Sequence, residues 1–319
     1  MKSIAFLGTG KIALEYSKII QRLGYKVQFA SSSSENSKSW KKFISKNPNV
    51  KFMSTEKILK HEEINKVFAL LPHLKQMEYF PEFLKSKKNI FIEKPFFNRS
   101  KKFNILLKKN KKNLNNKYIS FNRRFYDVVN ILKRRIKKKD IKFIRVNISE
   151  NFSQKTKKKS KIYKKLFPYF GSSSHIIDLL FYLFGKISFE KNFIVKKQKD
   201  YPTRYVLLRT FKNIPIFLFI EKNAPLKNGI EVIFQDNSLW TLAPIEKLKV
   251  FKGYKVTQNS SKKLNYLNYE QNLIFEKKEK SNYKPGLEKT VKYFLKKNLY
   301  NQNFRENLEY LRIYEKIFN

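Results

Sequence analysis

A short apolar run, Ile4-Ala5-Phe6-Leu7, passes directly into Gly8-Thr9-Gly10-Lys11-Ile12-Ala13, and few local patterns constrain a fold so tightly. The run reads as a buried strand, and Ile12, Tyr16, Ile19, Ile20 and Leu23 then recur at helical spacing. Between them the chain must turn sharply, which Gly8 permits. Gly10 lets another group approach the backbone, and Ala13 lets the helix pack closely on the strand. Gly24 stands where a helix cap belongs.

The same alternation continues to Phe121. Strands are expected at Ser3–Leu7, Lys26–Ala30, Val50–Phe52, Lys66–Leu71, Asn89–Ile92 and Tyr118–Phe121, with helices between them. The helix after the fourth strand begins near Leu74, and Pro81 is expected to kink or restart it. Beyond Phe125 the pattern changes to a helix ending near Lys138 and a strand at Lys142–Ser149. A lysine-rich stretch over 151–165 leads to an apolar helix at Ser174–Phe184. Strand-like runs follow at Phe189–Val195, Arg204–Phe211, Ile216–Glu221, Ile230–Gln235, Ser238–Leu242 and Lys247–Phe251, before helices at 285–297 and 302–318. The expected class is α/β: an N-terminal Rossmann domain over 1–121, then a C-terminal α+β domain over 122–319 with a largely antiparallel open sheet. The last helix is free to pack back on the first domain.

The glycine turn, lying inside a run of β-α units, predicts a dinucleotide site. Amides at the helix start, around Thr9, Lys11 and Ile12, would receive the phosphates. An acidic residue at the end of the second strand would hold the ribose 2′-hydroxyl of NAD. Here Ser31-Ser32-Ser33-Ser34 stands instead, with Lys38 and Lys41 nearby. Hydroxyls and cations suit a 2′-phosphate, so NADP is favoured over NAD, unless Glu35 reaches back or the serines merely fill a loop. Leu71-Pro72-His73 places a turn beside the expected nicotinamide ribose; His73 either touches a ligand there or stands by.

Glu93-Lys94-Pro95 ends the fifth strand. Lys94 is placed to hydrogen-bond an oxygen on a carbon that gains or loses hydride, or else forms a strand-end salt bridge. Pro95, if cis, would fix a sharp turn. Farther on, Gly171-Ser172-Ser173-Ser174-His175-Ile176-Ile177-Asp178 puts His175 and Asp178 on one helical face, with the serines expected to cap the helix. His175 is a proton carrier, a substrate clamp or a packed core residue.

Composition narrows the classes. No cysteine is present, so disulfides and thiolate sites are excluded and a reducing cytoplasm is expected. Three histidines without metal spacing predict no metal site, and no apolar run is long enough to span a bilayer. Lys and Arg number 70 against 25 acids, a net charge of +45. A polyanion partner is one explanation. Coding bias is the better one, because Lys, Asn, Ile, Phe and Tyr are all abundant and the lysines spread over nearly every helix; nucleic acid is therefore not the expected partner.

Taken together, Gly8, Gly10 and Ala13, Glu93-Lys94-Pro95, Asn122-Arg123-Arg124-Phe125, His175 with Asp178, and Leu183-Phe184-Gly185 resemble the glucose–fructose oxidoreductase / inositol dehydrogenase (Gfo/Idh/MocA) family. The resemblance implies an NAD(P)-dependent oxidoreductase acting on a sugar or cyclitol carbon and a homo-oligomer formed through the second-domain sheet, and the strongly basic charge would suit a phosphorylated substrate such as a nucleotide-sugar used in surface-glycan synthesis. It implies that Lys94 contacts the nicotinamide and the reacting hydroxyl and that His175 is the acid–base group. Glu93, Leu71 and Pro72 would line the cofactor; Arg123, Ser174 and Asp178 would hold substrate. Two positions depart from the family pattern. Gly171 stands where an aspartate is common, and Gln76 where many members carry a histidine. The first departure leaves open a non-catalytic, cofactor-sensing regulator on the same scaffold.

Overall fold

The computed structural model describes residues 3–150, 171–196, 203–260, 265–297, 300 and 304–318. The chain forms two compact units: Met1–Phe125 with Ser281–Asn319, and Tyr126–Lys280. The lysine-rich stretch over 151–165 lies outside the described residues.

In the first unit β1 (Ser3–Leu7), β2 (Val27–Ser31), β3 (Lys51–Phe52), β4 (Ile64–Ala69), β5 (Asn89–Glu93) and β6 (Lys117–Ser120) build a parallel sheet. Its order is β3-β2-β1-β4-β5-β6. The order reverses between β1 and β4, which opens a crevice at the carboxyl ends of these strands. Every residue of β1 is buried, as its unbroken apolar run requires of a central parallel strand. Between the strands run α1 (Lys11–Arg22), α2 (Lys38–Ile44), α3 (Thr55–Lys60), α4 (His73–Lys85) and α5 (Ser100–Lys109). α4 does not restart at Pro81 but passes through it as one helix. Its buried face, Gln76, Met77, Phe80, Phe83 and Leu84, holds it to the core on both sides of the proline.

The closing helices α8 (Leu287–Lys296) and α9 (Phe304–Phe318) belong to this first unit, as does the 3-10 turn Asn122–Phe125. The expected boundary at 121/122 places the 3-10 turn and α8 in the second domain and leaves the last helix free to pack back on the first; the compact units differ from it at the turn and at α8. Leu287, Val291 and Phe294 enter the same core as Phe6, Phe68 and Phe91. Phe294 meets Phe68 edge-on at 4.9 Å. The buried Lys66 of β4 donates to the carbonyls of Phe294 and Lys297, at 2.9 and 2.7 Å, and so satisfies the end of α8. Glu315 of α9 in turn accepts the Ser100 amide at 2.7 Å, capping α5.

In the second unit an eight-stranded sheet has the order β14-β13-β12-β11-β7-β10-β9-β8. Its strands are β7 (Ile141–Glu150), β8 (Ile187–Lys196), β9 (Thr203–Thr210), β10 (Pro215–Lys222), β11 (Gly229–Phe234), β12 (Ser238–Leu242), β13 (Lys247–Ser260) and β14 (Asn265–Lys278). Only β7 and β10 run parallel; the other pairs are antiparallel. Alternation sets its two faces, with Ile216, Leu218 and Ile220 buried and Phe217 exposed between them. The helices α6 (Asp127–Lys138) and α7 (Ser172–Phe184) supply buried apolar residues to this unit, and Tyr182 donates to Asn130 at 2.7 Å between them. Two features went unread in the sequence: β13 runs nine residues past Phe251, and β14 was not expected at all.

Candidate active site

The glycine turn is shaped for close approach. Gly8 has φ +102°, and a Cβ there would stand 2.5 Å from the Leu70 carbonyl oxygen, so both conformation and space demand glycine. Gly10 is the N-cap of α1, and a Cβ on it would meet nothing within 4 Å. No side chain caps this helix and its first turn holds no acid. The first intrahelical bond runs from the Ala13 amide to the Gly10 carbonyl at 3.0 Å, which leaves the amides of Lys11 and Ile12 without an intrahelical acceptor. Open space ahead of uncapped amides at a positive helix end, with the cation of Lys11 beside them, fits the pyrophosphate of a dinucleotide.

At the end of β2 the hydroxyls divide. Ser31 is buried and its hydroxyl pairs with Thr55 at 2.9 Å, inside the domain. Ser32 instead receives the Thr9 hydroxyl at 3.0 Å and pairs with Ser37 at 2.8 Å, while Lys38 stands exposed as the first residue of α2. The group that could meet a ribose here is thus a hydroxyl cluster centred on Ser32, flanked by Lys38, rather than Ser31 itself.

Beside it, the ends of β4 and β5 are tied by Gln76. Its amide donates to the carbonyls of Ala69 (3.0 Å) and Glu93 (3.1 Å), and its oxygen accepts the Leu71 amide at 3.2 Å. One buried side chain therefore sets the Leu71-Pro72 loop against the strand end that carries Lys94. The Glu93 carboxylate accepts the Tyr16 hydroxyl on one oxygen and the Lys94 amide on the other, at 3.1 Å. Burial pushes the Glu93 carboxyl up, and the Tyr16 hydroxyl and the Lys94 charge pull it partway back. Lys94–Pro95 is a cis peptide. His73 opens α4, and burial, together with the Lys94 charge, lowers its pKa to about 4, so its imidazole is neutral at physiological pH.

Arg123 and Arg124, adjacent in the 3-10 turn, have different fates. Arg124 pairs with Glu306 of α9 at 2.6 Å. Arg123 buries Nη1 with no hydrogen-bond partner among the described residues.

In the second unit His175 and Asp178 are both buried in the first two turns of α7. The three serines do not cap this helix, because they lie within it; the N-cap is Gly171. Ser174 donates its hydroxyl to the Gly171 carbonyl at 2.9 Å. The cap comes from outside the helix. Glu150, at the end of β7, accepts the Ser173 amide at 2.6 Å and also the Ser173 hydroxyl. An aspartate at 171 would collide with that carboxylate, since even a Cβ would stand 2.6 Å from Glu150 Cδ. Sequence reasoning passed over Glu150 and the Tyr16 hydroxyl. The available signal for Glu150 was an acid closing an apolar strand in a chain poor in acids.

Among the described residues no group of three or more His, Cys, Asp or Glu is placed to hold a metal ion, and no helix is long and apolar enough to cross a membrane. The model of the oxidoreductase family with an NAD-binding Rossmann fold (GFO_IDH_MocA) matches residues 2–119. No curated protein matches the sequence. Among solved structures, the WlbA dehydrogenase from Bordetella pertussis, in complex with NADH and UDP-GlcNAcA, aligns over 99% of this chain and 95% of its own. Its TM-score is 0.71 at 13% identity. A myo-inositol dehydrogenase from Corynebacterium glutamicum aligns over 98% and 94%, with a TM-score of 0.70 at 11% identity. A 3-ketoreductase from Actinomadura kijaniata, in complex with TDP-benzene and NADP, aligns over 99% and 96%, with a TM-score of 0.68 at 10% identity. At these identities the likeness establishes the fold.

Proposed function

From an N-terminal domain that belongs to the Gfo/Idh/MocA oxidoreductase family with its NAD-binding Rossmann fold, we propose that the chain is an NAD(P)-dependent dehydrogenase or reductase acting on a carbinol carbon of a sugar or nucleotide-sugar. The observation that carries this reading is the brace around Lys94. A glycine turn open to a pyrophosphate and a strand-end lysine share one half-buried carboxylate, Glu93, through Tyr16 and the Lys94 amide.

When bound, NAD(P) supplies a hydride donor or acceptor. The chain's own groups do the rest. The amides following Gly10 and the cation of Lys11 hold the pyrophosphate, while the Ser32 cluster and Lys38 face the adenosine ribose. A serine in place of an acid at the end of β2, with Lys38 beside the hydroxyl cluster, favours NADP. Leu71 and Pro72, fixed by Gln76, border the nicotinamide ribose. Lys94 hydrogen-bonds the substrate oxygen and stabilises its partial negative charge, which grows as the carbonyl carbon takes hydride in reduction and declines as the carbinol carbon gives it up in oxidation. His175 accepts the hydroxyl proton in oxidation and returns it in reduction, so proton and hydride leave or arrive together in balance. Arg123 is the cation for a phosphate or carboxylate on the substrate, and Asp178 and Ser174 orient its hydroxyls.

Two of the solved structures named above hold a nucleotide-linked ligand with NADH or NADP, which supports the choice of substrate class. Self-association through the second-unit sheet is part of the proposal, because Phe143, Tyr205 and Phe217 are exposed there. The test is absorbance in the reduced-nicotinamide band during a screen of UDP-, GDP- and dTDP-sugars. Turnover abolished by Lys94→Met supports the reading. Tight cofactor binding without turnover on any of them would favour the regulator instead.

A further inference from the structure

Gly171 is a glycine without a backbone reason. Its φ of −78° and ψ of −161° are extended values open to any residue. What excludes a side chain is Glu150, because a Cβ at 171 would lie 2.5 Å from Oε1 and 2.6 Å from Cδ. Glu150 is 2% exposed. Its carboxylate closes on the first turn of α7 through the Ser173 amide and hydroxyl, two residues before His175. A buried acid has thus been given the space of a missing side chain in a chain of net charge +45.

The position has an electrostatic consequence. His175 stands in the first turns of α7, where the positive end of the helix disfavours a protonated imidazole. A carboxylate at that same end offsets the field and favours the protonated form. The hydrogen bonds to Ser173 fix the rotation of the turn that presents His175, and the glycine admits the acid that makes them.

We infer that Glu150 is a positioning residue for His175. It holds the first turn of α7 and, together with the buried Asp178 on the same helix, adds negative charge where His175 carries a proton, and Gly171 is the residue that makes room for it. This rests on the role proposed for His175, so the test must separate the two.

Glu150→Gln keeps an oxygen for the Ser173 donors and removes only the charge. The expected result is an unfolding midpoint close to wild type, with kcat lower by about tenfold or more and an unchanged KM for the reduced cofactor. The His175 pKa, followed by imidazole resonances in a chain with three histidines, should fall by about one unit, which corresponds to about a tenfold change in proton affinity. Glu150→Ala should lose both properties. Glu150→Ala combined with Gly171→Asp should recover them, because a carboxyl carbon about 1.5 Å beyond Cβ falls in the space that Glu150 Cδ vacates. An unchanged His175 titration in Glu150→Gln would reduce Glu150 to a helix cap and overturn the inference. Lack of turnover by the wild type would instead overturn the proposed function, and the titration, which needs no substrate, would still decide the role of Glu150.

Discussion

The Tyr16 hydroxyl, on the helix that the glycine turn opens, donates to Oε1 of Glu93, the residue that precedes Lys94. The other oxygen of that carboxylate accepts the Lys94 amide at 3.1 Å. Position of the helix that the glycine turn opens and position of the strand-end lysine are therefore set by one carboxylate, that of Glu93. Burial, and then Glu93 itself, push the Tyr16 phenol well above its ordinary range, so it remains a donor at any working pH.

Removing that donor tests the coupling. Tyr16→Phe leaves the ring packed between Phe68 and Phe91 and takes away only the hydroxyl. A half-buried carboxylate losing one partner should cost about 1–3 kcal/mol, read as a shift in the urea midpoint with an unchanged m-value. If the brace positions Lys94, kcat should fall while the dissociation constant of the cofactor stays within about threefold, well under the tenfold that 1.4 kcal/mol produces. Loss of stability without loss of kcat would assign Tyr16 to packing alone.

The two glycines of the turn should fail differently. Gly8→Ala forces a positive φ on a side chain and drives Cβ against the Leu70 carbonyl, so it should lower stability by more than about 1 kcal/mol. Gly10→Ala meets no protein atom, so it should fold with a near-native melting temperature and lose dinucleotide affinity as its methyl enters the phosphate space. Differential scanning fluorimetry and a reduced-cofactor fluorescence titration separate the two. Native affinity in a folded Gly10→Ala protein would remove the pyrophosphate from this turn.

His73 predicts a pH dependence with a defined sign. Its folded pKa is lowered to about 4, by burial first and by Lys94 second, against about 6.5 in an unfolded chain. Between these values the unfolded state binds the extra proton. The contribution of neutral His73 is therefore present in full above pH 6.5 and is lost as the pH falls towards 4. His73→Gln should flatten the acid side of the stability curve within that window. An acid limb identical to wild type would show that His73 titrates normally.

What could be read in advance follows the range of the interactions. Ser3–Leu7 and the turn after it are local, and β1 has the expected bounds. The Lys94 strand end was equally visible, because a buried run stopping at Glu-Lys-Pro needs no distant partner to be recognised. Pro81 does not end α4, because the buried Phe80, Phe83 and Leu84, which the rule for an isolated helix omits, hold it to the core on both sides. In β14 Leu273, Ile274 and Phe275 are consecutive and all exposed, so the strand lacks the alternation by which half-buried strands are found. The segment from Ser281 joins the first unit through contacts of Phe294 with Lys66, Phe68 and Phe91, residues far away in the chain. Glu150 needed the same kind of knowledge, because its importance lies in the place of Gly171 and not in any motif.

Arg123 and Arg124 supply the last contrast. Arg124 is half-buried and ion-paired with Glu306 at 2.6 Å, with its guanidinium 5.6 Å from the centre of the Phe121 ring. Arg124→Ala should therefore loosen α9 and lower the melting temperature, leaving KM for substrate near wild type if the fold persists. Arg123 has a buried Nη1 with no partner among the described residues, so Arg123→Ala should leave stability nearly unchanged or slightly raised. An unpaired buried guanidinium nitrogen carries a desolvation cost that a bound anion would offset. KM for a phosphate-bearing sugar should then rise by about tenfold or more, as loss of a charge-assisted pair worth about 1.5–3 kcal/mol implies. KM for an uncharged sugar should change little. Equal effects on charged and uncharged substrates would assign Arg123 to the architecture of the turn and not to recognition of an anion.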